Sequence, residues 1–305
     1  MILKISKDIK FSNLYKKMNI FSLILIILSI SVLLIKGLNL GVDFKGGTLI
    51  EIRTEDKNNL ISEIRQSLLK SNSGDVTVKK FGIEGDYLAK IEITNINDNN
   101  FIKSLNDKLS SDLGSTVNFR RVENVGPKVS KELLKDGLLA ISLSLAAMLF
   151  YIWIRFEWQF SVAAIAAIVH DVFITVGIFS LLSYEVNLSI VAAVLTIVGY
   201  SMNDTVVIFD RIRENLKKYS KISILEISNI STNETLSRTL ITSVTTLLAL
   251  FSIYIFGGAI LKGFSFAMIV GVIVGTYSSI FVATPILKYT NVNQKSVLKD
   301  SNEDY

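Results

Sequence analysis

The stretch Leu188–Asn215, LSIVAAVLTIVGYSMNDTVVIFDRIREN, constrains this chain more than any other. It begins as an almost wholly apolar run long enough to cross a bilayer, and Asn203 and Asp204 sit inside that run. Insertion scales place Asp at a membrane-helix centre at about +2.5 to +3.5 kcal/mol, so a carboxylate kept there points to a task. The run then passes into Asp210-Arg211-Ile212-Arg213-Glu214-Asn215, which belongs in water or headgroups. Asp204 lies about five residues, roughly 7–8 Å at helical rise, from the end of the apolar run. A carboxylic acid at that depth favours being neutral or paired with a cation. An acid that alternates between those states suits a proton relay; a purely structural acid is the alternative.

Composition generalises the point. The 305 residues are 50% hydrophobic and only 19% charged, the mean hydropathy is +0.46, and the apolar residues fall in runs of about twenty. The chain reads as a polytopic membrane protein. Its net charge of +5 is carried by lysines and arginines at the ends of apolar runs, which is a topology signal and not a nucleic-acid stripe. Cysteine is absent and His170 is the single histidine, so disulfides, thiolate chemistry and His-rich metal sites are excluded. No nucleophile–base constellation or phosphate loop argues for an enzyme.

Six spans are expected: Asn19–Leu38, Leu133–Ile154, Ser161–Leu182, Leu188–Phe209, Thr239–Phe256 and Phe264–Leu287. The first is full span length with no small-x-small cleavage site after it, so it reads as a retained anchor and not a signal peptide. With six spans, Lys4, Lys7, Lys10, Lys16 and Lys17, Arg155, the group Arg211/Arg213/Lys217/Lys218/Lys221, and Lys288/Lys295/Lys299 share one side, expected to be cytoplasmic with both termini. The other side has Ser183–Asn187 without Lys or Arg, and Gly257–Gly263 with only Lys262.

Residues 39–130 contain no spanning run. Ile50 and Ile52 alternate with Glu51 and Arg53 after a glycine turn at Gly41, which predicts a half-buried strand. Leu60, Ile61, Ile64 and Leu68 recur at helical spacing. Val76 and Val78 mark a second strand, and Tyr87, Ala89, Ile91 and Ile93 a third. Phe101, Ile102, Leu105 and Leu109 mark a second helix, and Val117 with Phe119 a last strand. The order β-α-β-β-α-β is ferredoxin-like, so one small α+β domain is expected outside the bilayer. The expected division is 1–18 cytoplasmic, 19–38 first span, 39–130 outer domain, 131–287 five spans with a cytoplasmic loop at about 210–238, and 288–305 cytoplasmic tail.

Polar and small residues inside the spans are the candidate site. His170-Asp171 sits mid-span and reads either as part of a proton path or as a structural pair between helices. Arg238 opens the fifth span with Thr242, Thr245 and Thr246 on the same face. Arg238 can meet Asp204 or snorkel to headgroups, and the threonines can satisfy their own backbone carbonyls. Gly263, Ala267, Gly271, Gly275 and Ser279 form a small-residue ladder for close helix packing.

These segments carry a resemblance. GVDFKGGT (Gly41–Thr48), VGPKVSKELLKDG (Val125–Gly137), HDVFITVG (His170–Gly177), IVGYSMNDTVVIFDRIREN (Ile197–Asn215), SRTLITSVTTLLAL (Ser237–Leu250) and FSFAMIVGVIVGTYSSIFVATP (Phe264–Pro285) are similar to the SecF branch of the SecD/SecF protein-export family, in the RND superfamily. The resemblance implies six helices as half of an RND-type bundle, in a bacterial cytoplasmic membrane. It implies pairing with a separate SecD chain and work beside the SecYEG channel, often with YajC, on unfolded preprotein within membrane lipid. It implies coupling to protons, with no other cofactor, and places Asp204 and Arg238 on the family's proton pathway. Asn203, His170 and Asp171 complete the candidate path.

Protonation of Asp204 is then expected to release Arg238 or shift helix packing, and Gly46-Gly47 with Gly126-Pro127 to serve as hinges through which the outer domain moves. A proton-coupled small-molecule exporter of the same superfamily is one rival, disfavoured because only one small outer domain is present. A scaffold subunit is the other; there Asp204 and Arg238 would be replaceable by an uncharged pair.

Overall fold

The computed structural model describes residues 9–55, 60–71, 74–81, 84–92, 99–219 and 222–298. Ile93 of the expected third strand, and Lys4, Lys7, Lys221 and Lys299 of the basic clusters, lie outside them. The chain divides into two compact units: Leu40–Leu139 with Glu185–Leu188, and a unit of the remaining residues.

In chain order, a 3-10 turn at Phe11–Asn13 precedes the first apolar helix α1 (Tyr15–Lys36). After β1 (Asn39–Leu40) the α/β unit continues with α2 (Val42–Lys45), β2 (Gly47–Thr54), α3 (Ile61–Lys70), β3 (Val76–Lys80), β4 (Asp86–Ile91), α4 (Asn99–Leu113) and β5 (Val117–Val125). The four main strands form one antiparallel sheet in the order β3-β4-β2-β5, which is the ferredoxin-like topology. Period-two alternation builds its core. Ile50 and Ile52 are fully buried, stand opposite Ala89 and Tyr87, and are covered by Ile64 and Leu68 of α3 and Leu105 and Leu109 of α4. On the other strand face Arg53 grips Asp86 with two 2.6 Å bonds.

The expected glycine turn before β2 is instead the single helical turn α2, ended by Gly46 at φ 79° and Gly47 at φ 119°. A Cβ on Gly47 would stand 2.6 Å from the Ile91 carbonyl oxygen, so only glycine starts this strand. Gly126 and Pro127 meet the same corner. Gly47 pairs with Val125, and a Cβ on Gly46 would approach the Val125 carbonyl at 3.3 Å and Ser130 Oγ at 3.2 Å. Gly46, Gly47 and Pro127 therefore meet at one close-packed corner, whereas a Cβ on Gly126 would meet nothing within 4 Å. Pro127 opens the next helix, where its missing N–H is no loss.

The other spans are α5 (Pro127–Arg155), α6 (Trp158–Leu182), then, after the short β6 (Glu185–Val186), α7 (Leu188–Lys218), α8 (Ile224–Phe256) and α9 (Gly258–Ser278). The last is prolonged by a π-helical turn at Ser279–Ala283, then α10 (Thr284–Tyr289) and α11 (Gln294–Leu298). Among the described residues six helices are long and apolar enough to cross a membrane. About half of the apolar stretch is buried in α6 (56%), α7 (50%) and α9 (56%), against 11% in α1 and α5 and 17% in α8. The apolar stretches of those three are therefore the most enclosed, while α8 buries one polar face, with Ser231, Thr239 and Ser243, and exposes the other, with Arg238.

Glycine sets how closely the inner helices approach. A Cβ on Gly271 would stand 2.3 Å from Ile197, one on Gly275 2.9 Å from Ser201, and one on Gly263 3.3 Å from Ile190. The ladder thus lies against α7, with Ala267 and Ser279 fully buried in it. Gly177 gives α6 the same freedom toward Ser29 of α1.

Residues 210–238, expected as a loop, are mostly helix: α7 runs on to Lys218 and α8 begins at Ile224. At 31 and 33 residues these helices are about 46 and 50 Å long, well beyond a hydrocarbon core of about 30 Å. The charged stretch contains no Gly or Pro to stop a helix. Ser223 caps α8 by accepting from the Glu226 N–H.

Candidate functional site

Two acids lie inside the bundle, and their surroundings differ. Asp171 and His170 are each 1% exposed. His170 Nδ1 meets Asp171 Oδ1 at 2.8 Å. Ser201 Oγ donates to Oδ2 at 2.5 Å from α7, and Ser278 Oγ donates to the same oxygen at 2.8 Å from the end of α9. The bare Gly275 is what lets Ser201 come this close. The His170 ring stacks on Tyr277 at 6.0 Å between centroids. Tyr277 gives its hydroxyl hydrogen to the Met18 carbonyl at 2.8 Å, so Ser22 of α1 must donate to the tyrosine oxygen. His170 Nε2 is buried and has no hydrogen-bond partner among the described residues.

Asp204 is 3% exposed and far less well served. Thr276 Oγ1 reaches its Oδ2 at 3.4 Å, longer than an ordinary O–H···O bond of about 2.5–3.0 Å. Ser243 of α8 meets Thr276 at 2.8 Å and extends the contact one hydroxyl further. Arg238 is exposed and forms no ion pair within 4.0 Å among the described residues. The expected Asp204–Arg238 contact is absent here because Arg238 lies on the outward face of α8. Asn203, next to Asp204 in sequence, points out of the bundle and is exposed. Thr242 and Thr245 donate to the carbonyls of Arg238 and Ile241 four residues back, so they serve their own helix.

The π turn sits beside both acids. Ser279, its first residue, bonds Thr205 at 2.8 Å, and Ser278, which holds Asp171, immediately precedes it. Pro285 accounts for the wide turn. It has no N–H for the carbonyl of Phe281 four residues back, and its ring would clash with that carbonyl in an α-helix. Such π turns recur at functional sites.

The hydroxyls of Ser201, Ser243, Thr276 and Ser278 are the site residues that sequence reasoning missed. A serine in an apolar helix more often bonds its own backbone, and only three-dimensional proximity to an acid sets these apart. Also unforeseen is the work of Asp210–Asn215. Arg213 reaches Glu157 at 3.0 Å, Arg155 reaches Asp210 at 2.8 Å, and Arg211 holds Glu234 at 2.7 Å. The buried Asn215 donates to Ser231 at 2.9 Å and to Glu234 at 2.7 Å, and Phe156 lies under both Arg155 and Arg213. This segment clamps the starts and ends of α5, α6, α7 and α8 together.

A profile described as "Protein export membrane protein SecD/SecF, C-terminal" matches residues 106–293, and one described as "SecD/SecF GG Motif" matches residues 31–57, which include Gly46 and Gly47. The chain belongs to the SecD/SecF family. Among its SecD/SecF relatives, the protein translocase subunit SecF of Rickettsia bellii is 43% identical over 92% of both chains. That of Vibrio alginolyticus is 42% identical over 97% of this chain and 94% of its own. The crystal structure of SecDF from Thermus thermophilus, a translocon-associated membrane protein, superposes with a TM-score of 0.85 at 35% identity. The match covers 96% of this chain and only 40% of that longer one. A second SecDF structure, in a super-membrane-facing form, gives a TM-score of 0.71 at 33% identity. The six-helix membrane fold with its small sheet domain is thus a SecD/SecF fold.

Proposed function

We propose that this chain is the SecF-type subunit of a protein-export unit driven by the proton-motive force, with Asp204 as its coupling acid. The observation that carries this reading is the state of Asp204: buried in a membrane-length helix, with a long contact to Thr276 and, among the described residues, no cation within 4.0 Å. Such an acid favours the neutral form, and once ionised it must draw in a donor or a cation. Thr276 with Ser243, and Arg238 across a longer gap, are the groups able to respond. One charge crossing 100 mV is worth about 2.3 kcal/mol, enough to bias a conformational equilibrium roughly fiftyfold.

A separate SecD chain is the proposed partner, beside the SecYEG channel and YajC, with unfolded preprotein as substrate. Its support is twofold. The crystallised SecDF relative is more than twice as long as the matched region. Asn203 and Arg238 also stand exposed on apolar helices, where lipid is a poor neighbour and another membrane subunit a good one. Both termini are taken to lie on the cytoplasmic side of the bacterial inner membrane and the α/β unit outside, a reading that the distribution of basic residues supports. The corner at Gly46-Gly47 and Gly126-Pro127 is where helix movement would reach that unit.

The scaffold reading draws on the missing ion pair between Asp204 and Arg238. Complementation with Asp204→Asn together with Arg238→Gln decides between the two: loss of proton-dependent export with membrane levels intact supports coupling, and full growth and export support the scaffold.

A further inference from the structure

We propose that His170 and Asp171 form a second proton-binding site, distinct from Asp204, that takes up one proton at His170 Nε2. Three donors converge on the Asp171 carboxylate: the imidazole at 2.8 Å, Ser201 at 2.5 Å and Ser278 at 2.8 Å. That set suits an ionised carboxylate, which accepts only. It also leaves a net negative charge on a pair only 1% exposed, which favours uptake of one proton by the pair as a unit. The open position for that proton is Nε2, which is buried and has no partner among the described residues, whereas a purely structural histidine at this depth usually has both ring nitrogens satisfied. With the site empty, Nδ1–H donates to Oδ1 and Nε2 keeps its lone pair. With the site filled, Nε2 carries hydrogen whether the shared proton rests on Nδ1 or on Oδ1.

The groups facing the pair are few. Besides His170 itself, α9 presents Tyr277, whose hydrogen is committed to the Met18 carbonyl, and Ser278. α7 presents Ser201 and Thr205, with Asp204 turned to Thr276; α1 contributes Ser22, and the π turn contributes Ser279. Filling the site weakens the call of Oδ2 for two hydrogens. Ser278 then has an acceptor already at hand, because the Gly275 carbonyl lies 3.1 Å away. That exchange occurs at the residue preceding the π turn, so the site reports its occupancy to the helix segment most able to change its register.

The single histidine makes the test direct. The full chain, labelled with 15N-histidine and reconstituted in lipid nanodiscs, gives one imidazole from which bare and protonated Nε2 are told apart by NMR. The expected result is one reversible transition between about pH 5 and 9. Ser278→Ala removes a donor that favours the empty site, so it should raise proton affinity about tenfold, moving the midpoint up by about one unit. Ser201→Ala repeats the test from α7 should Ser278→Ala fail to fold. Asp204→Asn should leave the transition in place, which separates this site from the coupling acid whether or not export depends on Asp204. One unchanging form of Nε2 across the range, or a midpoint unmoved by both serine variants, overturns the proposal.

Discussion

Replacing Gly275 by alanine tests the packing that brings α9 to α7. The new Cβ would stand 2.9 Å from Ser201 Cβ and 3.2 Å from both its Cα and Oγ. Carbon atoms in good contact are about 3.5–4.0 Å apart, so the helices must part by a sizeable fraction of an ångström. No rotamer change relieves it, because the Cα and Cβ of Ser201 move only with the backbone. Overpacking of this kind costs about 1–3 kcal/mol. The shift also stretches the 2.5 Å bond from Ser201 to Asp171, and hydrogen bonds to charged groups are worth about 1.5–3 kcal/mol. Gly199→Ala is the control: it lies on the same helix as Ser201, is exposed, and its Cβ would meet nothing within 4 Å. It should be neutral or stabilise by up to about 1 kcal/mol through helix propensity. Thermal unfolding of the purified full chain in detergent reads both. Gly275→Ala as stable as Gly199→Ala would refute the argument that glycine is there for close approach.

Two further outcomes follow from the same geometry. Asn215→Ala removes two donors from a buried corner and leaves Ser231 and Glu234 without them, so α7 and α8 should loosen at their clamped ends by about 1–3 kcal/mol; hydrogen exchange in 210–234 checks it, and unchanged protection contradicts it. In the α/β unit, burial holds the Lys90 ammonium below the usual lysine range, with Lys45 and Lys79 adding to the effect and Glu185 opposing it. The folded unit then binds fewer protons than the unfolded chain between that lowered value and the ordinary one. Its stability should therefore rise with pH through that window. An NMR titration should find Lys90 losing its proton before the exposed lysines of the sheet, and titration together with them contradicts the assignment.

The apolar runs made the six helices legible, because a bilayer-length run has few other fates. The ferredoxin-like sheet was legible because Ile50, Ile52, Tyr87, Ala89 and Ile91 alternate, and one face of each strand must be buried. The helical extension through residues 210–238 was hidden by its charge, which reads as loop until Arg211–Glu214, Arg211–Glu234 and Asn215–Ser231 are seen to satisfy one another. Depth in the membrane singled out Asp204 and Asp171, but not which of them is well served. That depends on Ser201 and Ser278 arriving from other helices, and on Gly275 letting them in. Arg238 and Asn203 showed the limit most plainly, since sequence spacing gave their helix face but not which face the bundle encloses.

The central claim is that Asp204 couples protons to export. Pulse-chase labelling of preprotein maturation, in cells whose only copy is wild type or Asp204→Asn, tests it most directly, with membrane level and SecD co-purification followed in parallel. The account predicts slowed maturation with the complex intact, since an amide accepts Thr276 as the carboxylate does but cannot take up and release a proton. Maturation at the wild-type rate in an intact complex would contradict it.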